Sequence, residues 1–306
     1  MTRAVVFAYH DVGVRCLKTL ISGGVHIPLV VTVADDPNER QWFASVAATA
    51  ADYGIEAITP EDANTPAVIA RVAAAKPDFI FSFYYRSLLK GPLLATAPRG
   101  ALNMHGSMLP RYRGRAPVNW AILNGESETG ATLHYMVDRA DAGDIVDQQA
   151  VPILRDDDAR EVFNKVTVAA EMVLARSVPL LLAGRERRTP QTLIPGSYFG
   201  RRRPEDGRID WSESAERIHN LVRAVAPPFP GAFTELHGQR WSINRTRLIR
   251  GPIGSGGSAR LLGADGKCLA ACRDGGVLEI LSAAGPQGPL DLQALARQLE
   301  QRPVML

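Results

Sequence analysis

Cysteine is scarce: Cys16, Cys268 and Cys272 are the whole complement. Three thiols cannot all pair, their spacing fits no zinc pattern, and no histidine-rich cluster lies near them. They read as buried or half-buried thiols in a reducing compartment. Long apolar runs are missing as well; none reaches the roughly 18 residues of a membrane span. The N-terminus passes from Met1-Thr2-Arg3 straight into an apolar strand-like run without a small-residue cleavage site. That reads as a cytoplasmic start with no membrane insertion. Charge is nearly balanced, at a formal +3. A chain built to hold tRNA through its backbone carries a larger basic excess, so nucleic acid is not an expected partner. Two phosphate-binding signatures are absent. The first turn, Tyr9-His10-Asp11-Val12-Gly13, lacks the G-x-G-x-x-G that lets backbone approach a pyrophosphate. Gly266-Lys267 is followed by Cys268, and Leu261 stands where a P-loop needs its first glycine.

What is present is an ordinary globular composition, 46% hydrophobic and 22% charged, in a chain long enough for one large core or two smaller ones. The first ~190 residues alternate strand and helix, which predicts α/β architecture with a mostly parallel sheet. Strands are expected over 4–8, 27–33, 78–83, 101–104 and 129–137. Helices are expected over 14–21, 40–52, 66–75, 117–123 and 158–182, the last capped near Asp156 or Asp157. After Gly184 the periodicity stops, and 185–204 is rich in Arg, Pro and Gly, as a connector would be. An amphipathic helix over 214–225 follows, with Ile218, Leu221, Val222 and Val225 on one face. Short strands are expected within 231–248, 260–273 and 276–281, with the Gly-rich stretch 251–258 as a hairpin tip. The expected domains are 1–188, a linker over 189–207, and 208–306.

The most informative stretch runs from Asn103 to Arg115. An apolar lead, Ala101-Leu102, enters Asn103-Met104-His105, so Asn103 and His105 fall two apart on a strand end and face the same side. Gly106, Ser107 and Pro110 then break the strand, and an Arg-rich loop follows. Taken singly, a histidine or asparagine at a strand end is more often structural or a turn former.

This stretch, Asn-x-His-x-Ser-x-Leu-Pro followed by Arg-Gly, resembles the signature of formyltransferases that use 10-formyltetrahydrofolate. The resemblance extends through Val5–Asp11, Phe81–Arg86, Ala116–Trp120, Arg139–Gly143, Phe199–Arg202, Arg223–Val225 and Pro230–Phe233. It is nearest to the formyltransferase half of the bifunctional polymyxin-resistance enzyme, which formylates UDP-4-amino-4-deoxy-L-arabinose in lipid A modification. The resemblance implies a Rossmann-like domain followed by a small OB-like β-barrel domain. It implies a folate cosubstrate, a sugar-nucleotide partner, no metal, and a monomer or dimer. It implies Asn103, His105 and Asp141 as the catalytic set, with Asn103 donating to the oxyanion and Asp141 stabilising the His105 imidazolium. Ser87, Leu88, Leu89, Arg115, Val137, Asp138, Arg139, Ala140 and Asp141 match the family's folate-contacting stretches. Leu88 and Leu89 alone would be read as ordinary loop. Arg201-Arg202-Arg203 is a charge run that could meet a nucleotide diphosphate or base. Tyr84 and Tyr85 are not expected to be buried without a hydroxyl partner. The alternatives are methionyl-tRNA formyltransferase or an enzyme for another amino-sugar nucleotide. The loop Arg115-Ala116-Pro117-Val118-Asn119-Trp120 and the short acidic stretch 35–40 favour the sugar branch. A folate-binding relic has no need to keep all three catalytic residues.

Overall fold

The computed structural model describes residues 1–34, 41–236, 238–249 and 257–306. The acidic stretch 35–40 and most of the Gly-rich stretch 251–258 therefore lie outside the described residues. Two compact units are present. The first comprises Met1–Pro117, Glu128–Val151 and Phe163–Gly200, the second Val118–Ser127, Pro152–Val162 and Arg201–Leu306.

The first unit is built on β1 (Arg3–Ala8), β2 (His26–Val31), β3 (Ala57–Ile58), β4 (Phe79–Phe83) and β5 (Ala101–His105). A two-residue β6 (Arg113–Gly114) precedes β7 (Glu128–Tyr135), β8 (Ile145–Pro152) and a second short strand, β9 (Tyr198–Phe199). The sheet order is β3-β2-β1-β4-β5-β7-β8, and β6 pairs with β9 apart from it. The first five strands pair in parallel and β7 returns antiparallel beside β5. Central strands such as Phe79–Phe83 are buried on both faces, which is why they read as unbroken apolar runs. Val5, Phe7, Val31, Ile80 and Leu93 form one core of this unit.

Six helices connect these strands: α1 (His10–Ser22), α2 (Val46–Asp52), α3 (Pro66–Ala74), α4 (Gly91–Leu94), α5 (Pro117–Leu123) and α6 (Ala159–Ala183). Helix α1 starts earlier than its apolar period suggests, because the chain turns at His10 in left-handed backbone, φ 67°. Helix α2 starts later than expected, where Ser45 Oγ accepts from Ala48 N at 3.3 Å. Helix α6 is capped by Asp158 and not by Asp156 or Asp157. Asp158 Oδ1 accepts from Glu161 N, and Glu161 Oε2 accepts from Asp158 N, both at 2.9 Å. By length and composition alone α6 could cross a membrane, yet half of its most apolar window is buried inside the protein. Glu171 on this helix pairs with Arg15 of α1 at 2.6 Å. Strand β8 was not legible: its residues are half-exposed from Ile145 to Val151, so neither face sets a period.

The second unit carries a curled antiparallel sheet of β10 (Ala232–Leu236), β11 (Gln239–Ile249), β12 (Arg260–Ala264), β13 (Lys267–Ala271), β14 (Val277–Gly285), β15 (Gly288–Pro289) and β16 (Val304–Met305). With α7 (Ala215–Ala224) and α8 (Leu292–Gln301) it makes the OB-like domain. Ile218, Val222 and Val225 enter its core as the amphipathic pattern requires, and Leu221 packs at the margin. Cys268 and Cys272 lie in this unit and Cys16 in the first; all three are free and buried.

Candidate active site

Strand β5 ends at the point where the chemistry gathers. Asn103 pairs across the ladder with His134 of β7, and His105 with Thr132. The register therefore sets the Asn103 amide beside the His134 ring, with Nδ2 and Nε2 3.1 Å apart. His134 Nδ1 donates to the Tyr135 carbonyl at 2.8 Å, so the neutral ring presents Nε2 as an acceptor to Asn103. One amide N–H of Asn103 is occupied in this way, and among the described residues no group accepts from the other.

His105 is buried, and its Nε2 donates to the Tyr112 carbonyl at 2.8 Å. Its Nδ1 faces Asp141 Oδ1 at 3.5 Å. An imidazolium satisfies both partners, whereas a neutral ring satisfies one. Asp141 Oδ1 is also 3.6 Å from His134 Nε2, beyond hydrogen-bond reach. Asp141 Oδ2 accepts from Gly114 N at 2.9 Å. Burial alone would push the Asp141 carboxyl up. Positive charge at His105 and the Gly114 N–H outweigh burial and hold it well below the usual carboxylate range. The expectation that Asp141 sits beside His105 in a polar loop is met. Its backbone is left-handed, φ 54°, a conformation that aspartate tolerates better than most residues. Gln191 Nε2 fixes the turn by donating to the carbonyls of Asp141 at 3.2 Å and Gly143 at 2.6 Å.

The segments matched to the folate site come together in part. Asp138 Oδ1 stands 3.6 Å from where a Cβ on Gly91 would be, so the loop after β4 meets the loop after β7. Asn64 pins the first of these by donating to the Leu88 carbonyl at 3.0 Å and accepting from Lys90 N at 2.8 Å. Ser87, Leu88, Val137, Asp138, Arg139 and Arg115 are exposed and Ala140 is half-buried. Leu89 points the other way, into the core beside Leu93. The expectation for Tyr84 is corrected. Its hydroxyl is buried, with no hydrogen-bond partner among the described residues. Gly106 leaves the room for it, since a Cβ there would lie 1.9 Å from the Tyr84 oxygen.

A cavity of about 420 Å³ with Arg99, Tyr135, Glu186 and Arg188 in its wall contains none of Asn103, His105 or Asp141. The cluster of catalytic side-chain types, and not this cavity, marks the candidate site. Among the described residues no group of three or more His, Cys, Asp or Glu is arranged to hold a metal ion. In the second unit, Arg202 lies over the Trp120 ring at 4.9 Å and donates to the Asp206 carbonyl, and Arg203 N donates to Asp206 Oδ2. Asn119, buried, donates to the Ala224 carbonyl at 2.7 Å, so its side chain serves packing.

The family profile described as formyl transferase matches residues 3–178, and that of the formyl transferase C-terminal domain matches residues 202–297. The chain belongs to the formyl transferase family. Solved structures agree on the fold of this formyltransferase. The N-formyltransferase from Helicobacter canadensis, in complex with folinic acid and dTDP-3-aminofucose, superposes with a TM-score of 0.72 at 22% identity, covering 92% of this chain and 99% of that one. WlaRD, a sugar 3N-formyl transferase solved with dTDP and 5-N-formyl-THF, gives 0.74 at 21% identity over 95% and 98%. A 4-N formyltransferase from Francisella tularensis gives 0.64 at 20% identity over 78% and 95%. Reading the formyltransferase from sequence missed His134, the Tyr112 carbonyl, the Gly114 N–H and Gln191. Two of these act through backbone, which no residue type announces. His134 lay in an expected strand, but its partner is defined only by the β5–β7 register.

Proposed function

We propose that this enzyme moves the formyl group of 10-formyltetrahydrofolate onto the amino group of an amino-sugar nucleotide, with UDP-4-amino-4-deoxy-L-arabinose as the acceptor. The observation that carries the reading is the Asp141–His105 pair with Asn103 two residues earlier on the same strand. The neutral acceptor amine adds to the formyl carbon, and the carbonyl oxygen becomes an oxyanion. The free N–H of Asn103 donates to that oxygen, a contribution worth ~10²–10³ in rate. His105 Nε2 is committed to Tyr112, so Nδ1 is the atom that serves the reaction. Asp141 Oδ1, 3.5 Å away, favours positive charge at that atom. With His105 neutral and its Nδ1 unprotonated, the proton shed by the amine is taken up at Nδ1, Asp141 stabilises the imidazolium that forms, and the proton is passed to the folate N10 as the C–N10 bond breaks, a step worth ~10²–10⁴. Formamide and tetrahydrofolate result, and the pair regains its starting protonation.

The relatives solved with folinic acid or 5-N-formyl-THF beside dTDP-3-aminofucose or dTDP support a folate and a sugar nucleotide as the two substrates. The loop Arg115–Trp120 supports the sugar branch over methionyl-tRNA. The test offers purified protein 10-formyltetrahydrofolate with UDP-4-amino-4-deoxy-L-arabinose and initiator methionyl-tRNA in parallel, read by mass spectrometry. Formylated sugar alone is expected, and His105→Ala and Asp141→Ala should each lose most turnover while staying folded. Formylated tRNA alone would overturn the acceptor, and wild-type turnover in either variant would overturn the site.

A further inference from the structure

Among the described residues two arginines are buried, and they are treated differently. Arg223, 8% exposed, has its guanidinium taken up by Asn220 Oδ1 at 2.9 Å and by the carbonyls of Asp157 and Leu154 at 3.2 and 3.3 Å. Arg113 is more deeply buried, 4% exposed, and its Nε is covered without any hydrogen-bond partner. Among the described residues no carboxylate pairs with it and no carbonyl accepts from its guanidinium. A guanidinium stays protonated, and a buried charge without a counter-group is costly. A guanidinium buried for structural reasons is given acceptors, as Arg223 is.

The position of Arg113 says what it serves. Its own backbone N donates to the Ser197 carbonyl at 2.8 Å, on the short β6–β9 ladder. The residue before it supplies the carbonyl that holds His105, and the residue after it supplies the N–H that holds Asp141. The unpaired charge is thus anchored inside the loop that braces the candidate catalytic pair.

We propose that Arg113 is a binding residue for an anionic oxygen group of a substrate, a phosphate or a carboxylate. Under the function proposed above, on which this inference rests, the two sources are the diphosphate of the sugar nucleotide and the glutamate carboxylate of the folate. The planar guanidinium suits either, since both accept paired N–H donors. The ligand supplies the counter-charge that the protein withholds.

The test measures binding and thermal unfolding of the wild type, Arg113→Met and Arg113→Lys, by calorimetry with UDP, inorganic pyrophosphate and folinic acid as probes. Arg113→Met should keep or raise the melting temperature, because an unpaired buried charge is replaced by an apolar chain. It should weaken the anion's binding by ~10- to 100-fold, and Arg113→Lys should weaken it less. Loss toward UDP and pyrophosphate assigns the phosphate; loss toward folinic acid alone assigns the carboxylate. Either supports the proposal. Unchanged affinity of Arg113→Met for all three probes overturns it, as does a wild type that binds none of them. A melting temperature that collapses in Arg113→Met while Arg113→Lys binds every probe like the wild type also overturns it, as a structural role. These readouts need no turnover, so an inactive sugar assay beside intact anion binding would sink the acceptor assignment and leave Arg113 standing.

Discussion

His134 decides how Asn103 points. An amide facing a ring nitrogen that only accepts must offer N–H and not oxygen, so the ring sets the sense of the amide. Replacing His134 with phenylalanine keeps the bulk and removes the acceptor. The expected result is a fall of ~10-fold in kcat, one neutral hydrogen bond's worth, with KM for both substrates little changed. Asn103→Ala combined with His134→Phe should be no slower than Asn103→Ala alone, and steady-state kinetics on the three variants checks this. An additive double variant would mean that His134 acts on its own. Asn103 and His105 were legible because their spacing on a strand is itself a geometric statement. His134 was not, because nothing local to Thr132-Leu133-His134 says which strand lies opposite.

At the scale of elements, the loop after β7 carries Asp141 in a tight turn that only a few contacts hold. A Cβ on Gly143 would lie 2.0 Å from the Tyr135 carbonyl oxygen. Backbone cannot yield there without pulling the Asp141 turn away from His105. Gly143→Ala should therefore lower the melting temperature, by a destabilisation of about 1–3 kcal/mol, and should lower kcat more than an equally destabilising change in the second unit. Thermal unfolding and turnover on the same samples check both. The parallel strands were legible because burial on both faces leaves apolar runs. Helix α8 was legible in principle, with Asp291 as cap and Leu292, Leu295, Ala296 and Leu299 at helical spacing, yet no element is assigned from the sequence beyond residue 281. Strand β8 had no such signal, since its partners decide its fate and its own residues do not.

For the whole molecule, acid is the informative perturbation. Burial, then the nearby Arg86 charge, lowers the His10 pKa from 6.5 to about 3. The ring packs against Phe43 at 4.1 Å and against Trp42 and Phe163 at 4.4 and 4.5 Å. Between those two pKa values the unfolded chain binds the proton and the folded one does not, so stability rises with pH. The contribution is complete above the unfolded value and is lost as pH falls from 6.5 toward 3. Its limiting slope is ~1.4 kcal/mol per pH unit. Asp141 acts in the same sense lower down: its contribution stands above the ordinary carboxylate range near pH 4 and is lost as pH falls below it. Denaturant midpoints between pH 7 and 5 should fall in the wild type and fall less steeply in His10→Asn, which also suits the left-handed backbone. Parallel slopes would remove His10 from the account. The net charge of +3 gives no hint of this, because it counts His10 as neutral without knowing what keeps it so.

The two groups that hold the His105–Asp141 pair from one side are both peptide groups, presented by backbone that turns left-handed at Tyr112, φ 56°, and Gly114, φ 98°. For anyone wishing to move this chemistry to another scaffold, three side chains are the wrong parcel. The transferable object is the strand end and its returning loop, 103–114, with the carboxylate turn docked on it. The side chain at 112 can then be exchanged as long as its dihedral angles survive, whereas 114 must remain glycine, since a Cβ there would lie 2.2 Å from the Phe199 carbonyl oxygen, so the specification is written in torsions before it is written in residue types.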